Sequence, residues 1–320
     1  MNAQHVPVLL ARVVELIGVG VAAARAQGIT PVVVDGTLGM GGHAEAVLTA
    51  FPDVHLVGLD RDRDAIAIAS ARLQPFADRT DIVHAVDDEL PGVLDDLGID
   101  AISAILLDLG VSSLQLDEDE RGFSYSRPAP LDMRMDQTQA LTAAEVLATY
   151  SEADLRRILK DYGEEKMAGK IAKIIVADRA ETPWTTSDQL AAMLTRVLPD
   201  TKKRSHPAKR TFQALRIEVN DELGVLRTAL PAALEALHLG GVAVIESYQS
   251  LEDTIVKKIF RAGTHTQAPP DPPVVTEHMQ PWLREIVRGA EVADEEEAES
   301  NPRAKSVRLR AVEKIREAQP

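Results

Sequence analysis

Pro31-Val32-Val33-Val34-Asp35-Gly36-Thr37-Leu38-Gly39-Met40-Gly41-Gly42-His43 is the stretch that decides the fold. A β-branched run stops at a carboxylate, a glycine-rich turn follows, and residues 43 to 51 carry helical spacing, so the segment reads strand, loop, helix. Working outward, the unit repeats. His55 to Asp60 predicts a second strand followed by a helix over 64–73, and residues 81–86 predict a third strand with a helix over 90–97. Residues 101–108 predict a fourth, almost wholly apolar strand. Continuous apolar strands alternating with helices predict a parallel sheet covered on both faces. A helix is predicted over 6–26, before the first strand.

After Asp108 the pattern changes. Helices are predicted over 143–149, 151–161, 166–177 and 186–198 with no strand among them, several opening on a capping residue such as Ser151 or Thr186. This is a helical insertion. The α/β pattern resumes with a helix over 218–237, a stop at Gly240-Gly241, a strand over 242–248 and a helix over 252–261. Pro269 to Pro273 reads as a loop, 287–302 as an acidic mobile connector, and 307–312 as an edge strand.

The glycine loop has chemistry of its own. Gly39, Gly41 and Ala44 satisfy G-x-G-x-x-A, and Asp60 closes the next strand where a ribose-hydroxyl acceptor would sit. That pattern alone fits NAD as well as an adenosine cofactor of another kind. Asp35 tips the balance, because a carboxylate beside a helix N-terminus repels a pyrophosphate and attracts a sulfonium or ammonium. S-adenosylmethionine is therefore the expected cofactor. Asp108 ends the fourth strand, so Asp35, Asp60 and Asp108 are expected along one rim, beyond the carboxyl ends of the strands where open α/β sheets bind ligands.

Composition sets the outer bounds. The 320 residues include no cysteine, which removes disulfides, thiolate metal sites and cysteine nucleophiles. No leader or membrane span is evident, so a cytoplasmic protein is expected. The formal charge of −15 argues at first against a nucleic-acid partner. Its distribution reverses that, since residues 81–120 hold twelve acids and no Lys or Arg, and 291–299 hold six more acids, leaving the rest of the chain slightly basic. Lys202 to Arg216 carries six basic residues and no acid, and 301–316 carries six against Glu313. Both are expected to face RNA phosphates, with Phe212 offering a stacking ring.

Motifs recur in a fixed order: 5–10 (HVPVLL), 35–43 (DGTLGMGGH), 106–117, Glu120-Arg121-Gly122-Phe123-Ser124, 130–136 (PLDMRMD), Tyr162-Gly163-Glu164-Glu165, 206–216 (HPAKRTFQALR), Ser250-Leu251-Glu252-Asp253 and 301–306 (NPRAKS). In these the chain closely resembles the MraW/RsmH family, bacterial enzymes that methylate the exocyclic N4 of a cytidine in the decoding region of small-subunit rRNA. The resemblance implies a class I, Rossmann-like S-adenosylmethionine-dependent methyltransferase sheet with an inserted all-helical domain. The expected domains are a methyltransferase domain at 1–114 and 212–320 and an RNA-recognition insertion at 115–211.

The resemblance further implies cofactor contacts at Gly41, Gly42, His43, Asp60, Asp108 and Gln115, beside Asp35 and Gly39 from the loop itself. Asp87 occupies a further cofactor contact of the family, on the adenine side, where relatives often carry an aromatic, and Tyr248-Gln249 stands where they often carry Phe-His. Cytosine N4 is a weak nucleophile, so a hydrogen-bond acceptor for its N–H is needed, whereas no metal is required. Asp108 is the expected acceptor and Asp132, held by Arg134 or Arg210, the second choice. Arg134, His206, Lys209, Arg210, Thr211 and Phe212 are the expected RNA contacts. The substrate is small-subunit rRNA, expected within an assembled or late-assembly subunit, and whether the chain forms a homodimer is left open by the sequence. An NAD(P)-dependent oxidoreductase, suggested by Gly39-x-Gly41-x-x-Ala44, and a non-catalytic RNA-binding assembly factor are the competing readings.

Overall fold

The computed structural model describes residues 6–198, 206–266 and 280–317. The chain divides into two compact units, Met1–Gly110 with Leu223–Pro320, and Val111–Glu222. In chain order the first unit contains α1 (Leu10–Ala26), β1 (Val32–Asp35), α2 (Gly42–Ala50), β2 (His55–Asp60), α3 (Arg63–Leu73), β3 (Thr80–His84), α4 (Leu90–Leu97) and β4 (Ile102–Asp108). The second holds α5 (Ser113–Asp117), α6 (Ala143–Thr149), α7 (Glu152–Asp161), α8 (Ala168–Asp178), α9 (Ser187–Val197) and α10 (Lys209–Asn220). The first then resumes with α11 (Glu222–Ala236), β5 (Leu237–Ser247), α12 (Ser250–Thr264), β6 (Leu283–Glu285), α13 (Glu295–Ser300) and β7 (Arg308–Lys314).

The seven strands form one sheet in the order β3-β2-β1-β4-β5-β7-β6. The strands from β3 to β5 pair in parallel, and β7 runs antiparallel to both neighbours. The apolar runs are explained by burial on both faces. Val33, Leu56, Ala104, Leu106, Val242 and Val244 pack with α1, α2 and α3, whereas the alternating Val34, Val57, Ile105, Leu107, Ala243 and Ile245 pack with α4, α11 and α12. Strand alternation thus places half of each run in one core and half in the other. This is the Rossmann-like sheet expected from the sequence.

The helical unit has its own core, in which Leu155, Ile158 and Leu159 of α7, Ile171 and Ile175 of α8, Leu190 and Leu194 of α9, and Phe212 and Leu215 of α10 join Met133 and Leu131. Its caps follow the sequence: the Asp154 backbone N–H donates to Ser151 Oγ at 3.1 Å, and Thr186 N–H to Gln189 Oε1 at 3.2 Å. Each such cap is worth about 1 kcal/mol.

Several expectations change. The junction expected at 211/212 falls inside α10, which stays with the helical unit. The helix predicted from 218 is two helices, broken at Asp221 with φ 47°. Gly240-Gly241 is no helix stop. β5 begins at Leu237, and its register on β4 slips from Ile102↔Leu237 to Ala104↔Val242, a bulge in which Gly240 takes φ 85°. The strand expected at the edge lies between β5 and β6, because the outer strand β6 has three residues, too few to show a period.

The acidic stretch 287–302 is tied down. Arg12 donates to Glu291 through Nε at 2.8 Å and Nη2 at 2.7 Å, Asp294 caps α13, and Leu9 N–H donates to Glu297 Oε1 at 2.7 Å. Glu291 and Glu297 answer the N-terminal segment, whereas Asp294, Glu295, Glu296 and Glu299 are exposed. His5, residues 202–205 and the proline loop 269–273 lie outside the described residues.

Candidate functional site

Three strand ends bring the acids of the first unit together. β1 delivers Asp35, β2 delivers Asp60, and β4 delivers Asp108, with Asp87 in the turn after β3. The loop between β1 and α2 is fastened to its neighbours. Gly36 N–H donates to Leu106 O at 2.9 Å and Leu38 N–H to Leu59 O at 2.9 Å. Asp60 accepts from Gly39 N–H at 2.7 Å and Asp62 N–H at 2.8 Å, so the expected ribose acid also shapes the loop. Gly41 takes φ 77° at the N-cap of α2, a conformation glycine adopts without steric cost. Gly42 begins α2 directly after it, and His43, 6% exposed, lies beneath the loop with Nε2 donating to Val8 O at 3.0 Å.

Charge accumulates on this rim. Asp35 is 3% exposed, and Thr37 N–H reaches its Oδ1 at 3.3 Å. Burial, reinforced by Asp108, pushes its carboxyl up to about 8. Asp87 is pushed up to about 7 by desolvation, with Arg61 opposing and Asp60 and Asp88 adding to it. Burial also raises Asp60, against the backbone N–H groups of Asp62 and Gly39. A cluster of carboxyls that resist ionisation stores attraction for a cation, since an incoming positive charge relieves both desolvation and mutual repulsion. The residues present therefore fit a cationic nucleoside.

Asp108 is held from two sides. Its backbone N–H donates to Thr37 Oγ1 at 2.6 Å, and Tyr248 donates its hydroxyl to Asp108 Oδ1 at 2.7 Å. Burial, with Asp108 and Glu246 nearby, raises the Tyr248 phenol, which keeps it a donor. Tyr248 is itself aimed by the buried Glu252, whose Oε2 accepts from the Tyr248 and Gln249 backbone N–H groups at 2.9 and 3.2 Å. In the sequence Tyr248 stands out only as a departure from Phe, and nothing there assigns its hydroxyl a partner. The signal available was chemical: a tyrosine carries a polar end that seeks a partner when buried.

In the helical unit the expected residues sort differently. Asp132 is held by Arg134, not Arg210, through Nε to Oδ1 and Nη2 to Oδ2, each at 2.8 Å. Burial alone would raise Asp132, but Arg134 outweighs it and holds the carboxyl below the ordinary range. Arg134 also donates Nη1 to Gln137 O and Gln139 O. With its fork spent inside the loop, Arg134 is a loop fastener rather than an RNA contact. Gln115 is buried, and its Oε1 accepts from Ser112 N–H at 3.0 Å in a capping box that opens α5.

Phe212, expected as a stacking ring, is 4% exposed and belongs to the helical core, edge-on to Tyr125 at 5.6 Å. Thr211 is fully buried beside it. Both lie on the inward face of α10, with Leu215 and Val219 one and two turns on. Lys209 and Arg210 face solvent. Arg216 does not, because Glu222 binds it at 2.8 and 2.9 Å. The exposed His206 accepts from Ala208 N–H at Nδ1 and stacks on Tyr125, ring centroids 4.6 Å apart at 17°. Two cations of the basic C-terminal segment are spent internally, Arg310 on Asp253 and buried Lys314 on Glu235 O and Leu237 O, while Lys305, Arg308 and Arg316 are exposed.

The sequence profile of the MraW methylase family matches residues 2–315. The chain is 56% identical over 317 residues to "Ribosomal RNA small subunit methyltransferase H" of Pseudarthrobacter chlorophenolicus, covering 98% of this chain and 96% of that protein. It is 52% identical over 318 residues to the protein of the same name from Streptomyces avermitilis, covering 99% and 98%. Among solved structures, an rRNA methylase from Streptococcus thermophilus aligns with a TM-score of 0.39 at 11% identity, over 89% of this chain and 87% of that one. Among the described residues, no helix is long and apolar enough to cross a membrane.

Proposed function

The chain belongs to the MraW methylase family, and from that premise we propose that it methylates the exocyclic N4 of a cytidine in the decoding region of small-subunit rRNA, within an assembled or late-assembly subunit. As a member of the family it is an S-adenosylmethionine-dependent methyltransferase. The observation that carries the assignment of the acceptor is Asp108, fixed by Tyr248 and Thr37 at the end of β4 in a rim of buried acids.

The cofactor supplies an electrophilic methyl group on a sulfonium. Asp35 answers the positive charge, Asp60 the ribose hydroxyls, and the loop at Gly39, Gly41, Gly42 and His43 the close backbone approach. Asp87 lies toward the adenine side, and Gln115 is carried over from the family. Asp108 accepts a hydrogen bond from the N4 amino group, which turns the nitrogen lone pair out of ring conjugation and aligns it for in-line attack. It then takes up the proton that the methylated amine must shed. Tyr248 keeps the carboxylate oriented throughout.

Calorimetric titration separates this reading from a dinucleotide-dependent enzyme. S-adenosylmethionine is expected to bind and NAD not to; binding of NAD alone would sink the proposal. Because a cationic ligand needs Asp35 ionised, S-adenosylmethionine affinity is expected to rise by up to ~10-fold per pH unit as pH approaches about 8, then level. Asp35→Asn should weaken binding and remove that slope. The sign is opposite for the ligand-free protein. A raised carboxyl stabilises the fold fully below its unfolded value of 3.8, and that contribution is lost as pH rises through about 8.

For RNA we place the contact at Lys209 and Arg210, beside the Tyr125–His206 stack. The double variant Lys209→Ala, Arg210→Ala should bind rRNA more weakly, with a salt dependence shallower by about 1 to 2 in log–log slope and cofactor affinity unchanged. Equal slopes for variant and wild type would refute that placement.

A further inference from the structure

Beneath the rim lies Glu246, a side chain that the methyl-transfer account does not use, beside His43 and Asp108, which it does. Glu246 of β5, paired in register with Asp108 of β4, is completely buried, and both its carboxylate oxygens lack a hydrogen-bond partner among the described residues. An unsatisfied buried carboxylate costs several kcal/mol, so its retention calls for a partner. Oε2 points toward His43, 3.7 Å from Nε2.

His43 narrows what that partner is. The Val8 carbonyl 3.0 Å from Nε2 can only accept, so Nε2 carries the hydrogen. In the neutral ring Nδ1 then bears a lone pair, and it faces Asp108 Oδ2 at 3.9 Å, too far for a hydrogen bond. Two bare electron pairs confront each other across a gap next to an unpartnered carboxylate. The other oxygen of Asp108 is occupied by the Tyr248 hydroxyl. One donor atom from each of His43, Asp108 and Glu246 lies within 4.8 Å of the others. Donors around a bound first-row ion sit roughly 3 to 3.5 Å apart, from metal–ligand distances of about 2.0–2.2 Å. Binding an ion therefore requires the three side chains to close in on it. A ligating imidazole that donates its second N–H to a backbone carbonyl is the usual outer-shell arrangement at metal sites, and the Val8 carbonyl supplies it.

We propose that His43, Asp108 and Glu246 bind a divalent first-row transition ion, of which Mn²⁺ and Zn²⁺ are the representative cases. One imidazole with two carboxylates favours such an ion over Mg²⁺, which prefers an all-oxygen shell. The site goes beyond methyl transfer and does not depend on it. His43 and Glu246 hold the ion deep in the fold, while the Asp108 side chain, 29% exposed, links it to the rim.

The test uses full-length protein stripped with a chelator, free of cofactor and RNA, so its outcome is independent of whether the protein methylates anything. Titration with MnCl₂, followed by electron paramagnetic resonance at pH 7.5, should show one bound ion per chain. Binding should be weakened at least tenfold in both Glu246→Gln and His43→Ala, with Zn²⁺ displacing Mn²⁺ and Mg²⁺ failing to. Uptake unchanged in both variants, or Mg²⁺ binding as tightly as Mn²⁺, would overturn the proposal. So would no uptake by wild type. A wild-type crystal soaked in MnCl₂ needs no variant: an anomalous peak among the three side chains supports the site, and no peak there overturns it.

Discussion

Replacing Asp108 by Asn lowers methyl transfer to small-subunit rRNA by about 10²–10³-fold, the usual effect of removing one preorganised group that acts on the reacting atoms, while S-adenosylmethionine still binds within a few-fold of wild type. Asn keeps the shape and the Tyr248 contact through its carbonyl oxygen, but it loses the negative charge and half the acceptor capacity. The amine then retains its ring conjugation and its proton has no destination. On the proposed placement Asp35 and Asp60 would still hold the cofactor, so binding is expected to survive. Single-turnover kinetics under saturating cofactor, alongside calorimetric titration, checks the pair of results. Unchanged turnover would move the acceptor role elsewhere. Loss of turnover with cofactor retained also excludes an assembly factor that binds rRNA without chemistry.

Gly20→Ala destabilises the protein by about 3 kcal/mol, at the upper end of overpacking effects, and lowers the melting temperature by roughly 6–12 °C. A Cβ at Gly20 would lie 2.0 Å from Ser103 O and 3.3 Å from Val242 N, both backbone atoms of the central strands. No rotamer relieves a clash with strand backbone, so α1 must lift away from β4 and β5. That strips Val13, Ile17 and Val21 of part of their packing. Because β4 carries Asp108 at its far end, the variant should also lose methyl-transfer activity at temperatures where it remains folded. Differential scanning calorimetry gives the first number directly, and a melting temperature within 2 °C of wild type would show that the helix can shift at little cost.

Much of the sheet was legible because strands buried on both faces write themselves as unbroken apolar runs. Ile102 to Leu107 has no other economical reading, and the acid after each run follows from where a strand meets its loop. Capping residues were legible for the same reason, being local. What escaped is non-local. Tyr248 meets Asp108 across 140 residues of sequence, and no spacing announces it. Phe212 stood among Lys209, Arg210 and Arg216, whose charge suggested an RNA face, yet Phe212, Leu215 and Val219 share one helical face and that periodicity is the stronger indicator. Arg134 and Arg216 counted as positive charge in the sequence but are neutralised by Asp132 and Glu222 in the fold. Net charge by segment therefore overstated the basic surface of α10, where Lys209 and Arg210 are the exposed cations among the described residues.

The most direct test of methyl transfer to cytidine N4 is nucleoside mass spectrometry. Small ribosomal subunits from a strain lacking this enzyme are incubated with the purified protein and methyl-labelled S-adenosylmethionine, and the rRNA is digested to nucleosides. The expected product is labelled N4-methylcytidine mapping to the decoding region, absent with Asp108→Asn. Label on a ring carbon, on a ribose hydroxyl or on another base would contradict the account, as would no label at all.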